Sequence, residues 1–285
     1  MGERMVWCGN LLDAKQPCIA ADDPGWRFGE TLFETIPLYD GVPYLLEEHW
    51  CRLLNAAASF GVEVPLQLEE LDAAIQALRP HYERGMALFR WTVSFSGAWT
   101  LTGRRPTAQE DAYRQGWTVI LFPPFLNNRT GFWGEVKTGN YAGVLLSRKL
   151  LKDRRADEGI FVTAHGELLE GSFTNVFLAK GDTLWAPWRT SPILPGVTRQ
   201  RLLALFREDC RVREKRLCLD DLWEAEEGFL CGSGTEIVPI RTVEGRLLPA
   251  GVPGPCTLEA MKRFARDVKE KTDKNCTVAR VLADC

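Results

Sequence analysis

Between residues 31 and 57 the apolar period changes from two to about 3.6 across a single Asp-Gly pair. Residues 31–38 are rich in β-branched and aromatic side chains, the composition of a strand. Tyr39-Asp40-Gly41-Val42 supplies the pair that tolerates positive φ in a tight hairpin, and 43–46 begins the return. From there Leu46, Trp50, Leu53, Leu54 and Ala57 fall on one helical face, and Gly61 ends the run. A chain with strand, turn and amphipathic helix in direct succession must bury the helix face on a sheet. All-α and all-β architectures are thereby excluded.

The same mixture continues. Residues 68–78 form a second amphipathic helix ending before Pro80, and 87–95 and 117–122 read as strands. Pro123-Pro124 and Asn127-Asn128-Arg129-Thr130-Gly131 make the strongest linker signal. Beyond it, helices are expected at 142–155, 198–207 and 258–271. Strands are expected at 159–163, 172–179, 183–186, 211–217, 227–231 and 237–242, with His165-Gly166-Glu167 as a turn. The expectation is an α+β fold of two domains. The first, 1–122, is a small α/β domain. Residues 123–130 link it to the larger 131–285, a mixed, barrel-like sheet with helices.

Charge limits the partners. Lys and Arg total 35 against 38 Asp and Glu, a net charge of −3, which makes no field to gather nucleic acid or anionic lipid. No run approaches the ~20 apolar residues of a membrane helix, and the N-terminus lacks the apolar centre of a secretory signal. A cytoplasmic location is expected. The nine cysteines include no C-x-x-C pair and the three histidines are scattered. The thiols read as packing groups in a reducing compartment, and no metal is expected.

Five segments can carry chemistry. Leu194-Pro195-Gly196-Val197-Thr198-Arg199 places glycine and threonine at a helix start. Free N–H groups there suit a phosphate, and a plain threonine cap is the competing reading. Cys231-Gly232-Ser233-Gly234-Thr235-Glu236 is a second small-residue cradle, or simply a turn between strands. Lys137-Thr138-Gly139-Asn140-Tyr141 puts a lysine at a turn into a helix. Desolvated there, its amine would be a nucleophile or base. Glu170-Gly171-Ser172 sets a carboxylate between an apolar pair and a turn, either at a hairpin edge or facing a buried cation. His49 and Arg52, three apart, share a helix face.

In order and spacing these segments resemble the class IV aminotransferases, the fold-type IV pyridoxal-phosphate enzymes. That family includes branched-chain aminotransferases, D-amino-acid transaminases and aminodeoxychorismate lyases. The resemblance runs from about Asp22 to Thr242. It includes a glycine followed by F-E-T at Phe33-Glu34-Thr35 and H-x-x-R-L at His49 to Leu53. It continues with the lysine motif, E-G-S-x-x-N-x-F at Glu170 to Phe177, and L-P-G-x-T-R at Leu194 to Arg199. It implies that Lys137 forms the Schiff base with pyridoxal 5′-phosphate, and that Glu170 keeps the pyridine nitrogen protonated so that the ring is an electron sink. It implies that Arg52 holds the phosphate with Val197, Thr198 and Thr235, and that Tyr141 neighbours the ring hydroxyl. The released Lys137 amine would take the substrate α-proton. The family's site lies between two domains of a homodimer, and its substrates are small amino and keto acids.

The shared motifs do not separate the branches. Arg90 is a candidate for the substrate carboxylate, and Phe33 and Trp133, with Trp99 and Phe132, are candidates for the pocket wall. Ser94 to Trp99 lacks the Arg-Gly pair common in lyases and D-amino-acid enzymes, and Gly29-Glu30 stands where Gly-Asp is commoner. The expectation is an aminotransferase, with branched-chain amino acids among its candidate substrates. Aminodeoxychorismate lyase is the alternative. Joint retention of Lys137 and Glu170 argues against a homologue that only binds the cofactor.

Overall fold

The computed structural model describes residues 3–16, 18–106, 110–126, 131–209 and 211–283. They form two compact units. The first comprises Met1–Thr107, Val136–Asn140 and Val268–Cys276, and the second the remainder.

In the first unit β1 (Arg4–Trp7), β2 (Asn10–Asp13), β3 (Thr31–Tyr39), β4 (Val42–Pro43), β5 (Met86–Ser94) and β6 (Trp99–Arg104) make an antiparallel sheet. Its order is β2-β1-β6-β5-β3-β4. Asp40 (φ 45°) and Gly41 (φ 79°) form the expected turn. α1 (Pro24–Phe28) precedes β3, and α2 (Leu46–Ser59) and α3 (Leu68–Leu78) follow β4. Trp50, Leu53 and Ala57 of α2 and Leu71, Ile75 and Leu78 of α3 are buried with Ile36 and Leu38 of the sheet. Each buried leucine or isoleucine among them contributes about 1.5–3 kcal/mol. Trp50 stacks on Trp91, centroids 5.1 Å apart. Trp99 is also part of this core, so it fills the sheet rather than a substrate pocket.

The second unit contains β7 (Trp117–Phe122), β8 (Glu158–Val162), β9 (Leu168–Gly171), β10 (Asn175–Lys180) and β11 (Thr183–Pro187). It continues with β12 (Val212–Lys215), β13 (Glu227–Gly232), β14 (Glu236–Val243) and β15 (Arg246–Leu247). The strands run β12-β11-β10-β13-β14-β7-β8-β9, and β9 returns to β10 through the pair Glu170 and Asn175. That pair closes a barrel of β7, β8, β9, β10, β13 and β14. β7 pairs parallel with both neighbours, so the barrel is mixed. Val119, Ile160, Val176, Leu178, Leu230 and Ile240 are buried in its core. The helices are α4 (Glu110–Gln115), α5 (Phe132–Glu135), α6 (Ala142–Arg154), α7 (Val197–Leu205), α8 (Leu219–Glu224), α9 (Pro255–Thr272) and α10 (Thr277–Ala283). The end of α9 is counted with the first unit.

The elements differ from expectation in identifiable ways. The strand expected at 172–179 is β10, which begins only at Asn175, and β9 precedes it over Leu168–Gly171. Between them Ser172-Phe173-Thr174 turns around the buried Glu158 carboxylate, and Gly171 N–H donates to the Thr174 carbonyl at 2.7 Å. β1, β2, β6, β9, β15 and the short helices α1, α4, α5, α8 and α10 were not expected; each is seven residues or fewer. Within the expected linker, Pro124–Leu126 is one 3-10 turn, and 127–130 fall outside the described residues.

Candidate active site

The lysine segment lies along β3. Lys137 carbonyl accepts from Phe33 N–H at 3.0 Å, Gly139 N–H donates to Thr31 carbonyl at 3.0 Å, and Leu32 bridges Thr138. The glycine is needed because a Cβ at 139 would stand 2.1 Å from Thr31 Oγ1. Gly29 (φ 72°) meets Asn140 similarly, a Cβ there lying 2.8 Å from Oδ1. These contacts place the Lys137 Nζ 4.5 Å from the centre of the Phe33 ring. The Arg90 guanidinium carbon lies 3.5 Å from the same centre. Two cations thus meet one electron-rich ring face system. Arg90 also donates to Thr92 Oγ1 at 3.2 Å. Three expected residues, Lys137, Arg90 and Phe33, are therefore brought together.

Arg52 is engaged by a residue that the sequence reading left without a role. Alternation along β3 puts Glu34 on the face of Leu32, Ile36 and Leu38, toward α2. Its Oε1 accepts from Arg52 Nε and its Oε2 from Arg52 Nη2, both at 2.7 Å, and His49 Nδ1 is 2.7 Å from Oε2. Glu34 and His49 are buried, and the Arg52 side chain keeps 13% of its exposure. Burial alone would raise the Glu34 pKa, but Arg52 and His49 outweigh it and hold the carboxyl far below its usual range. Burial lowers the imidazole pKa of His49, opposed by Glu34 and aided by Arg52 and Lys137. A carboxylate at a core-facing strand position, with a His and an Arg one helical turn apart nearby, was the signal available in the sequence.

In the second unit Glu170 is buried at the barrel's closing pair. Its Oε2 accepts from Asn175 Nδ2 and from Leu194 N–H, each at 3.1 Å, and Asn175 Nδ2 also donates to Leu194 carbonyl at 3.1 Å. Asn175 therefore ties Glu170 to the L-P-G loop. Glu158, equally unforeseen, accepts from Ser172 Oγ at 2.6 Å and from the amides of Gly159, Ser172 and Phe173. Burial still raises its pKa against those bonds.

Two small-residue segments adjoin Asn175. A Cβ at Gly196 would stand 2.0 Å from Asn175 Oδ1, so the backbone there can only be glycine's. Gly196 starts α7 with no side-chain cap, leaving the Val197 and Thr198 end of the helix to other acceptors. Asn175 also pairs across the barrel with Cys231, whose strand leads into Gly232, Ser233, Gly234 and Thr235. The Thr235 hydroxyl oxygen is sealed from solvent and has no hydrogen-bond partner. The Cys231 thiol is pushed up to about 12 by burial and is chemically inert. Tyr141 caps α6, its ring 6.0 Å from that of Phe173. Trp133 is half exposed and packs edge-on against Phe132.

The family model for amino-transferase class IV matches residues 31–243. The chain belongs to the class IV aminotransferases. The branched-chain-amino-acid aminotransferase of Salmonella typhimurium is 35% identical over 259 residues, covering 84% of each chain. The D-alanine aminotransferase of Bacillus licheniformis is 25% identical over 285 residues, 95% of this chain and 99% of that one. A hypothetical aminotransferase from Mycobacterium tuberculosis, solved in a PLP-bound form, shares the fold. Its TM-score is 0.82 at 22% identity, over 95% of this chain and all of that one.

Class IV aminotransferases are pyridoxal-phosphate enzymes, and this aminotransferase has residues that fit the group. The uncapped start of α7 and the orphaned Thr235 hydroxyl are donors suited to a phosphate. The buried Glu170, which accepts two N–H bonds, is suited to a protonated ring nitrogen. Among the described residues, no group of three or more His, Cys, Asp or Glu could hold a metal ion. Among the same residues, no helix is long and apolar enough to cross a membrane.

Proposed function

We propose that this aminotransferase moves an amino group between a branched-chain amino acid and a 2-keto acid, with Lys137 as the proton-moving amine. The observation that carries the reading is the shared Phe33 ring, which sets the Arg90 guanidinium beside the Lys137 amine. A substrate that reacts at its α-carbon also presents a carboxylate, and Arg90 is the cation suited to orient it. Arg52, Val197, Thr198 and Thr235 would hold the cofactor phosphate, the Glu170 carboxylate would pair with the ring nitrogen and keep it protonated, and Tyr141 would lie by the ring hydroxyl. Pyridoxal phosphate supplies the electron sink that acidifies the substrate α-carbon. Lys137 would be the amine that takes and gives back that proton. Phe33 and Trp133 supply apolar wall for a hydrocarbon side chain.

A homodimer in the cytoplasm completes the reading. Leu145 and Leu146 stand 61% and 58% exposed on one helix, an apolar pair that a second copy would cover. The described free cysteines suit a reducing compartment.

The decisive experiment is a paired assay. One arm measures exchange of amino groups from leucine, isoleucine and valine to 2-oxoglutarate. The other measures pyruvate and 4-aminobenzoate release from aminodeoxychorismate. We expect turnover in the first arm alone, and Arg90→Ala to raise KM for the amino acid about tenfold or more with a smaller change in kcat. Turnover only in the second arm would make the protein the lyase. With D-alanine as a further donor in the first arm, transfer from D-alanine alone would replace the branched-chain substrate.

A further inference from the structure

Glu236 has a left-handed backbone, φ 51°, immediately after Thr235. It ends the three-residue loop Ser233-Gly234-Thr235 between β13 and β14. In that loop Gly232 pairs with Glu236, and Thr235 N–H donates to Gly232 carbonyl at 3.1 Å. Hairpin loops of this length favour glycine at the left-handed position, because a Cβ is strained there. A wholly buried glutamate keeps such a conformation only where its surroundings over-determine it. Here the side chain does so. Oε1 accepts from Thr277 N–H at 2.9 Å and Oε2 from Val278 N–H at 2.7 Å. These are the first two residues of α10, whose opening amides have no partner within the helix. α10 itself packs on α4 and β14. The loop that presents the orphaned Thr235 hydroxyl is thus anchored, through one carboxylate, to the last helix of the chain.

We infer that Glu236 is a positioning residue for cofactor binding: by fastening the Thr235 loop to α10, it holds the Thr235 hydroxyl where a phosphate oxygen takes it. The inference rests on the phosphate role proposed above for Thr235.

The test compares affinities of the full-length apoprotein for pyridoxal 5′-phosphate and for pyridoxal, which lacks only the phosphate. Circular dichroism confirms folding of each variant. Glu236→Gly removes the carboxylate while relieving the backbone, so a purely local strain role would leave binding intact or improved. We expect it to weaken pyridoxal phosphate binding at least tenfold and to change pyridoxal binding less than twofold. Glu236→Gln, which keeps one acceptor, should fall between. Thr235→Val should show the same selective loss, and the double variant Thr235→Val/Glu236→Gly little more than either alone.

Equal losses for both compounds would mean a merely structural role and would overturn the inference. Unchanged affinity in Glu236→Gly, with the selective loss in Thr235→Val, would overturn it and leave the phosphate reading standing. Unchanged affinity in Thr235→Val would remove the phosphate reading and the inference together. Should Glu236→Gly not fold, the same ratio measured on Glu236→Gln decides.

Discussion

Lys137→Ala abolishes transamination while leaving the fold intact. The expected loss in kcat is about 10⁴-fold or more, because one amine both joins the cofactor and moves the α-proton, and positioned proton transfer alone contributes roughly 10²–10⁴-fold. The fold survives because the segment is held by backbone. Phe33 N–H donates to the Lys137 carbonyl and Gly139 N–H to Thr31, neither through the lysine side chain. Stability should change by less than about 1 kcal/mol. Rapid-quench or coupled assays read the rate, and borohydride reduction of the wild type should bleach its visible absorbance and block activity. In Lys137→Ala borohydride should trap nothing. Wild-type turnover in this variant would refute the assignment of the amine.

Glu34→Ala has the second largest expected effect, and it falls on stability. It removes the shared acceptor of Arg52 and His49 within a buried cluster. Breaking a buried pair by deleting one partner costs about 3–5 kcal/mol; partial exposure of Arg52 puts the expectation near the lower figure. The pH dependence has a definite sign. The folded-state pKa of Glu34 lies below its ordinary 4.5. Its stabilisation is therefore complete above about 4.5 and is lost as the pH falls from there toward the folded value. His49 adds to acid sensitivity at higher pH. Its folded pKa is below the ordinary 6.5, so the unfolded chain takes the proton first as the pH drops. Urea unfolding at pH 7, 5 and 3.5 checks both points. Glu34→Ala should be less stable at pH 7 by about 3 kcal/mol and lose less on going to pH 3.5. A loss under about 1 kcal/mol at pH 7 would show that the cluster does not hold this part of the fold.

Much of this was legible in the sequence where one local signal decided the outcome. The Asp40-Gly41 turn, the face of Trp50, Leu53 and Ala57, and the helix 68–78 all appear as read. So does the convergence of separate motifs. The side chain of Asn175, five residues beyond Glu170, bonds to both Glu170 and the L-P-G loop. What was not legible depends on partners far along the chain. Glu34 acquires meaning only when β3 pairs with its neighbours and faces α2. Glu158 looks like an ordinary surface carboxylate until the turn 172–174 wraps it. Glu236 sits where a glycine would be expected, for the sake of two amides about forty residues later. Short strands such as β1 and β2 carry too few alternations to stand out, and they are held by sheet pairing, β1 to β6 and β2 to β1.

The closing pair of the barrel has an evolutionary consequence. Glu170 and Asn175 complete the strand circuit and bond to each other, so under the role proposed for Glu170 a substitution at either would be felt twice, in assembly and in catalysis. Arg90 lies in another sheet, where no such double constraint applies. If Arg90 orients the substrate as proposed, substrate preference can change there while the barrel's closing pair stays untouched.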